Sequence, residues 1–216
     1  MEYRLLLLDF GGVCLLNPVE LHLHTEQKLG LAPGTLDWLG PIDPSTDELW
    51  QRMVDGELTE RDYWAIRAAE VGELAGRNLD VREYMGLVYE PARPELVRPA
   101  CTNVVKRARR AGTAVSVLTN DMRAFHGRDW EHGIDFFDLV DHIVDCSDFG
   151  VLKPDPRAYG EALTTCGFGA PEALFIDDQP INIEGANAVG IDALWFDVAN
   201  AEQSWAEVAE RLDLGP

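Results

Sequence analysis

Four short runs of the sequence combine reactive side chains with the marks of a strand end. In LLLLDFGGV, Asp9 stops an apolar run, and the Gly11-Gly12 turn after it lets backbone groups come close to a ligand. In AVSVLTND, Thr119 and Asn120 stand where a strand should finish. A hydroxyl and the following N–H groups can hold anionic oxygens, although both residue types also cap helices and turns well. In FGVLKPDPRAY, Pro154 keeps Lys153 extended and out of a helix; the Pro154-Asp155-Pro156 run also reads simply as a helix start. In ALFIDDQPINIEGANAVGI, Asp177 and Asp178 end an apolar run together. Adjacent acids there are costly unless a cation offsets them, and an oxygen-only donor set suits Mg²⁺. Taken singly, each run has an ordinary explanation: a strand-to-turn acid, a cap, a solvated lysine, two loop acids in an acidic chain. Their weight comes from their order. Carboxylate, hydroxyl, ammonium and acid pair follow one another, each at or just beyond a strand end.

Those runs need a scaffold, and the hydrophobic pattern supplies one. A strand is predicted from Tyr3 to Asp9. From about Pro18 to Pro94 the pattern reads as helical throughout. Pro18 suits the first turn of a helix reaching Leu29, with Gly30 as its stop. Thr59-Glu60-Arg61-Asp62 resembles a capping box opening a second helix, with Tyr63, Trp64, Ile66 and Ala69 on its apolar side. Asp80 to Glu90 reads as a third, closed by Pro91. After Pro94, helices (95–111, a short one after 120, 156–166, 181–189 and a last one) alternate with strands (114–119, 142–145, 173–177, 191–196). That alternation predicts an α/β fold with a doubly wound, Rossmann-like parallel sheet, whose ligands bind beyond the carboxyl ends of the strands. The helical stretch is then an insert: a core domain of residues 1–15 and 95–216, and a helical cap domain of residues 16–94.

Composition narrows the partners. The 216 residues carry a formal net charge of -20 and 46% hydrophobic residues, enough for a real core. So acidic a surface repels nucleic acid and anionic lipid, so neither is expected as a partner. It also repels anionic substrates, so any phosphate site must carry local positive charge. Lysine is rare; Lys28, Lys106 and Lys153 stand against an arginine-rich background, and Lys153 hints at a need for a compact ammonium. Cys14, Cys101, Cys146 and Cys166 have no zinc or redox-dithiol spacing and read as reduced thiols of a cytosolic protein. Leu5 to Leu8 is too short for a signal peptide or a membrane span, so a cytoplasmic location is expected.

With these runs in place, the sequence resembles the haloacid dehalogenase superfamily. DFGGV resembles its first motif, LTN the second, Lys153 with Pro154 and Asp155 the third, and IDDQPIN, continued as IEGANAVGI, the fourth. The insert resembles the cap of the first cap class, and the branch resembles sugar-1-phosphate phosphatases and the phosphatase domain joined to soluble epoxide hydrolase. The resemblance implies Asp9 as nucleophile and metal ligand, Thr119 and Asn120 as phosphoryl-binding residues, and Lys153 holding Asp9 and the phosphoryl oxygens. It implies Asp178 as a Mg²⁺ ligand, Asp177 assisting, the Gly11 carbonyl as a further ligand, and Asn182 ordering the loop. The implied activity is Mg²⁺-dependent hydrolysis of a small phosphorylated metabolite through an aspartyl-phosphate, by a monomer or homodimer.

One position departs from the family pattern. The common first motif has a second Asp two residues after the nucleophile; here Gly11 stands there. The usual general acid and base, typically worth about 10²- to 10⁴-fold, is missing. Phosphatases with Gly at this position occur in the resembling branch, whereas a phosphomutase is disfavoured. Glu20, His22 or His24 could replace the acid from the cap, although the two histidines alternate along one helix and are expected to be solvated. Trp38, Trp50, Tyr63, Trp64 and Tyr84 could line a substrate pocket, but read better as a small cap core. Three rivals remain. A metal-free dehalogenase tolerates Gly11 but lacks the acid pair; a phosphonate hydrolase needs a cap lysine, of which Lys28 is the one present; a slow or silent binding domain draws its support from Gly11.

Overall fold

The computed structural model describes residues 3–215. Strand β1 (Leu5–Leu8) is four leucines with no exposure, as a strand covered on both faces of a parallel sheet demands. The chain then leaves for α1 (His22–Leu29), α2 (Glu48–Val54), α3 (Glu60–Leu74) and α4 (Val81–Tyr89). It returns through α5 (Pro99–Arg110), β2 (Ala114–Thr119), α6 (Met122–His126), β3 (His142–Asp145), α7 (Pro156–Cys166), β4 (Ala173–Asp177), α8 (Pro180–Ala188), β5 (Asp192–Trp195) and α9 (Ala201–Arg211). The five strands form one parallel sheet in the order β3-β2-β1-β4-β5. This is the doubly wound α/β fold. The chain falls into two compact units, Met1–Leu16 with Arg93–Pro216, and Asn17–Ala92. Among the described residues, no helix is long and apolar enough to cross a membrane.

The first unit contains the sheet. Side chains of β1, β2 and β4 alternate between its two faces. On one face Leu5, Leu7, Leu118 and Phe175 pack with Val144, Tyr159, Ala162 and Ala186. The chain's departure and return lie side by side: Leu15 bridges Val97, Leu16 N–H donates to Leu96 O, and Arg98 N–H donates to Cys14 O.

The second unit is built from capped helices. Thr59 and Asp62 form the expected capping box, and Asp80 forms another with Glu83. The aromatic residues Trp38, Trp50, Tyr63, Trp64 and Tyr84 are buried together, with Tyr63 edge-on to Trp38, Trp50 and Trp64. They form the core of this unit.

Three sequence expectations need correction. Residues 18–94 are not helical throughout: residues 30–43 are turns and irregular chain, punctuated by Pro33, Gly34, Gly40 and Pro41. The helix expected from Pro18 begins as a 3₁₀ turn, Pro18–Leu21, capped by Asn17, and becomes α-helical at His22. The helix expected from residue 95 starts at Pro99, which takes the first helical turn, after a separate 3₁₀ turn at Pro94–Leu96.

Candidate active site

The parallel register sets the site. Leu8 pairs with Val117 on one side and Ile176 on the other, and Asp9 N–H donates to Ile176 O at 2.8 Å. Asp9 therefore emerges beside Asp177, and Thr119 ends the neighbouring strand. The sheet brings Asp9, Thr119, Asp177 and Asp178 to one rim, as strand ends of this fold must be. The glycines after Asp9 differ in kind. Gly12 has φ +73°, a left-handed conformation that suits glycine, and its carbonyl accepts both Nε (3.1 Å) and Nη2 (3.0 Å) of the buried Arg98. Gly11 has no such constraint, and a Cβ built there meets no atom within 4 Å.

Lys153 is the centre of charge. Its side chain is 1% exposed, and Nζ donates to Asp9 Oδ1 at 2.8 Å and to Asp177 Oδ2 at 2.7 Å. Its backbone is held by Asn120: Lys153 N–H donates to Asn120 Oδ1 at 2.8 Å, and Asn120 Nδ2 donates to Lys153 O at 3.3 Å. The Asn120 side chain is thus occupied in placing the lysine loop. Helix α8 presses on the same loop, where Gly185 leaves room: a Cβ there would lie 2.9 Å from Pro154 O and from Tyr159 Oη.

Asp177 is saturated with donors. Oδ1 accepts from Gln179 N–H (2.8 Å) and Asn182 Nδ2 (3.0 Å), and Oδ2 from Lys153 Nζ and Asn182 Nδ2 (3.1 Å). Asn182 is itself steadied by Tyr159, whose hydroxyl donates to Asn182 O at 2.7 Å. Asp9 keeps 13% of its side chain exposed. Burial pushes its carboxyl up to about 6; Lys153 opposes that shift and Asp177 reinforces it. Burial disfavours the Lys153 ammonium, but Asp177 and then Asp9 outweigh it and hold its pKa above the usual lysine range.

Asp9, Asp177 and Asp178 each offer a carboxylate oxygen, and these atoms lie within 4.8 Å of one another. Three hard oxygen donors around one point fit Mg²⁺, and this set contains neither sulfur nor imidazole. The same place combines a partly exposed carboxylate, an ammonium and a buried hydroxyl, Thr119, which are the components of nucleophilic attack on an anionic centre.

The candidates in residues 17–92 are held otherwise. Glu20 Oε2 accepts Asn17 N–H at 2.7 Å and closes the cap of the 3₁₀ turn. His22 is not solvated, contrary to expectation. It is 7% exposed, edge-on to Trp38 at 4.3 Å, and burial pulls its pKa down to about 4. Lys28 Nζ donates to Leu87 O at 2.7 Å and also to Glu90 O. Arg98, Gln179 and Trp195 support the rim but were not singled out from the sequence. Arg98 has only its place before the helix-starting Pro99 as a signal, and Trp195 reads as an ordinary strand aromatic.

Similar proteins place this arrangement in a family. The pattern of the haloacid dehalogenase-like hydrolases matches residues 3–190. Acyl-CoA dehydrogenase family member 10 of Mus musculus is 27% identical over 200 residues, 91% of this chain but 18% of that protein. Phosphatase MT3486 of Mycobacterium tuberculosis (strain CDC 1551 / Oshkosh) is 34% identical over 133 residues, 61% of this chain and 57% of that protein. The chain thus spans well under two thirds of the length of either relative. Among solved structures, the magnesium-bound HAD-hydrolase YfnB of Bacillus subtilis superposes with a TM-score of 0.73 at 17% identity, covering 99% of this chain and 100% of that one, which establishes the shared fold. With the family pattern running from the first strand through the fourth motif, the chain belongs to the haloacid dehalogenase-like hydrolases.

Proposed function

We propose that this hydrolase is a Mg²⁺-dependent phosphatase acting on a small phosphorylated metabolite, with Asp9 as its nucleophile. The observation that carries this reading is Lys153 Nζ bridging Asp9 and Asp177 where three carboxylate oxygens converge. The 34% identity to a protein named as a phosphatase supports it. In this reading Asp9 attacks phosphorus, forming an aspartyl-phosphate as the bond to the leaving oxygen breaks. Water then cleaves that acyl phosphate and regenerates Asp9. A carboxylate approaching a phosphate dianion meets like-charge repulsion, and Lys153 offsets part of it. The Thr119 hydroxyl and the N–H of Asn120 hold phosphoryl oxygens in line. Asp9, Asp178 and the Gly11 carbonyl would hold Mg²⁺, with Asp177 assisting. When bound, the ion neutralises phosphoryl charge and orients the ester. Asn182 and Lys153 keep Asp177 in place. Gly11 supplies no proton, so the leaving oxygen departs largely as an anion.

The helical unit acts as the cap that chooses the substrate. Four free cysteines, three of them buried, suit a reducing cytoplasm. The test is hydrolysis of p-nitrophenyl phosphate. We expect turnover with Mg²⁺, loss on adding EDTA, and loss in Asp9→Asn with the fold retained. Turnover that survives both treatments would overturn the mechanism.

A further inference from the structure

We propose that Trp195 is a positioning residue, which fixes the Asp178–Gln179 peptide and so aims Asp178 at a divalent cation. The inference rests on the reading of the acid pair as a cation site. Strand β5 pairs with β4 in register, Trp195 opposite Asp177. Its end clamps both carbonyls of the pair: Phe196 N–H donates to Asp177 O at 2.9 Å, and the indole Nε1–H of Trp195 donates to Asp178 O at 2.9 Å. The other end of that second peptide is held too, because Gln179 N–H donates to Asp177 Oδ1 at 2.8 Å. A peptide unit is a rigid plane. With its C=O tied to β5 and its N–H tied to the neighbouring acid, the Asp178–Gln179 unit cannot swing, and the Cα of Asp178 is fixed with it.

Burial does not explain this tryptophan. Trp195 is 50% exposed, whereas Trp38, Trp50, Trp64, Trp130 and Trp205 are all at 7% or less. An indole left half in water at a strand end gains little from packing, and its polar edge is what the rim uses. Supports of this kind, one bond removed from a metal ligand, set the ligand's direction and hence the affinity for the ion.

The uneven exposure also provides the measurement. Acrylamide should reach the half-exposed Trp195 far more readily than the other five indoles, so quenching of tryptophan emission chiefly reports Trp195. We expect the quenchable fraction of the wild-type protein to stay the same on saturation with Mg²⁺, because the indole already holds the Asp178 carbonyl before the ion binds. Calorimetric titration with Mg²⁺ alone should give a Kd roughly three- to tenfold weaker in Trp195→Phe, the scale of one net hydrogen bond. A merely structural tryptophan would lower the unfolding midpoint and leave Kd unchanged. Asp178→Asn separates the two readings. If it loses Mg²⁺ while Trp195→Phe keeps the wild-type Kd, the cation site stands and the positioning role falls. If the wild type binds no Mg²⁺, the cation reading falls and takes the inference with it. Should Trp195→Phe fail to fold, the wild-type quenching decides, and a quenchable fraction that changes as Mg²⁺ binds overturns the proposal.

Discussion

Two buried cations, one in each unit, sit between pairs of carboxylates. Lys153 lies between Asp9 and Asp177; Arg67 lies between Asp47 and Glu70. Around Arg67 the cluster is sealed on its Asp47 side, while Glu70 reaches solvent. Asp47 accepts Trp50 N–H (2.8 Å), the Tyr63 hydroxyl (2.8 Å) and an Arg67 guanidinium nitrogen, and its side chain has no exposure. The guanidinium lies 4.5 Å over the Trp38 ring. Around Lys153 the cluster is lopsided. Asp177 is as fully occupied as Asp47, but Asp9 faces the rim with 13% of its side chain exposed and a raised pKa. The difference teaches how to tell a structural ion pair from a reactive one. Both bury charge at a cost, but in the Arg67 cluster the accessible carboxylate is the surface Glu70, with 44% of its side chain exposed, whereas in the Lys153 cluster it is Asp9, held at the rim with a raised pKa.

The contrast breaks most sharply in two variants. Lys153→Met should lower kcat/KM for p-nitrophenyl phosphate on the order of 10⁴-fold, the scale on which a protein cation stabilises phosphoryl transfer. A loss below tenfold would remove Lys153 from the reacting centre. Arg67→Met should act on stability alone. It leaves Asp47 buried without its cation, which costs about 3–5 kcal/mol, read from urea unfolding. Asp47→Asn combined with Arg67→Met should recover part of that loss, because no uncompensated charge remains and the amide oxygen can still accept the Trp50 N–H. Full stability in Arg67→Met would show that its cluster is not structural, and the contrast would collapse.

The two clusters were not equally legible in the sequence. β1 announced itself because a parallel strand buried on both faces is a continuous apolar run, and Asp9 interrupts it. Asp177-Asp178 stood out for the same reason. Arg67 carried no such mark: its partner Asp47 is 20 residues away, across a loop whose path no periodicity predicts. The Asn120 side chain looked available for substrate, yet its partner is the Lys153 backbone, a contact that only the sheet crossover creates. His22 looked solvated because a short helix with alternating histidines shows no apolar stripe. The irregular segment at 30–43 brings Trp38 onto it.

His22 offers a smaller test of the closed unit. Its folded pKa, about 4, lies below the ordinary value of 6.5, chiefly through burial; Leu36 backbone and Glu26 oppose that shift without cancelling it. Below pH 6.5 the unfolded chain therefore binds a proton that the folded one refuses until about pH 4. The stability is fully present above pH 6.5 and falls as pH drops towards 4, by about 1.4 kcal/mol per pH unit. His22→Phe cannot take that proton. Between pH 7 and pH 5 the wild type should lose about 2 kcal/mol more than the variant in urea unfolding. Parallel losses would mean that His22 is protonated in the fold.

The smallest effect tests the open side of the reactive cluster. Gly11 has no left-handed φ to protect, and a Cβ there meets nothing within 4 Å, so an aspartate enters the turn without backbone strain or a clash at Cβ. In the natural protein no side chain at this position can protonate the departing oxygen. Rate should therefore depend on how well that oxygen carries negative charge. A plot of log kcat/KM against leaving-group pKa should fall steeply, with phenyl, acyl and anomeric phosphates ahead of simple alkyl ones. The same lack slows attack of water on the aspartyl-phosphate, so a good leaving group should give a burst of product before steady turnover. Gly11→Asp should flatten the plot and raise alkyl phosphate hydrolysis by about tenfold, less than the 10²–10⁴ of a general acid whose surroundings are tuned to it. It should also shrink the burst. A flat plot in the natural protein would mean that an acid reaches the leaving oxygen from somewhere other than position 11. The open side of the Lys153 cluster would then not be what limits this enzyme.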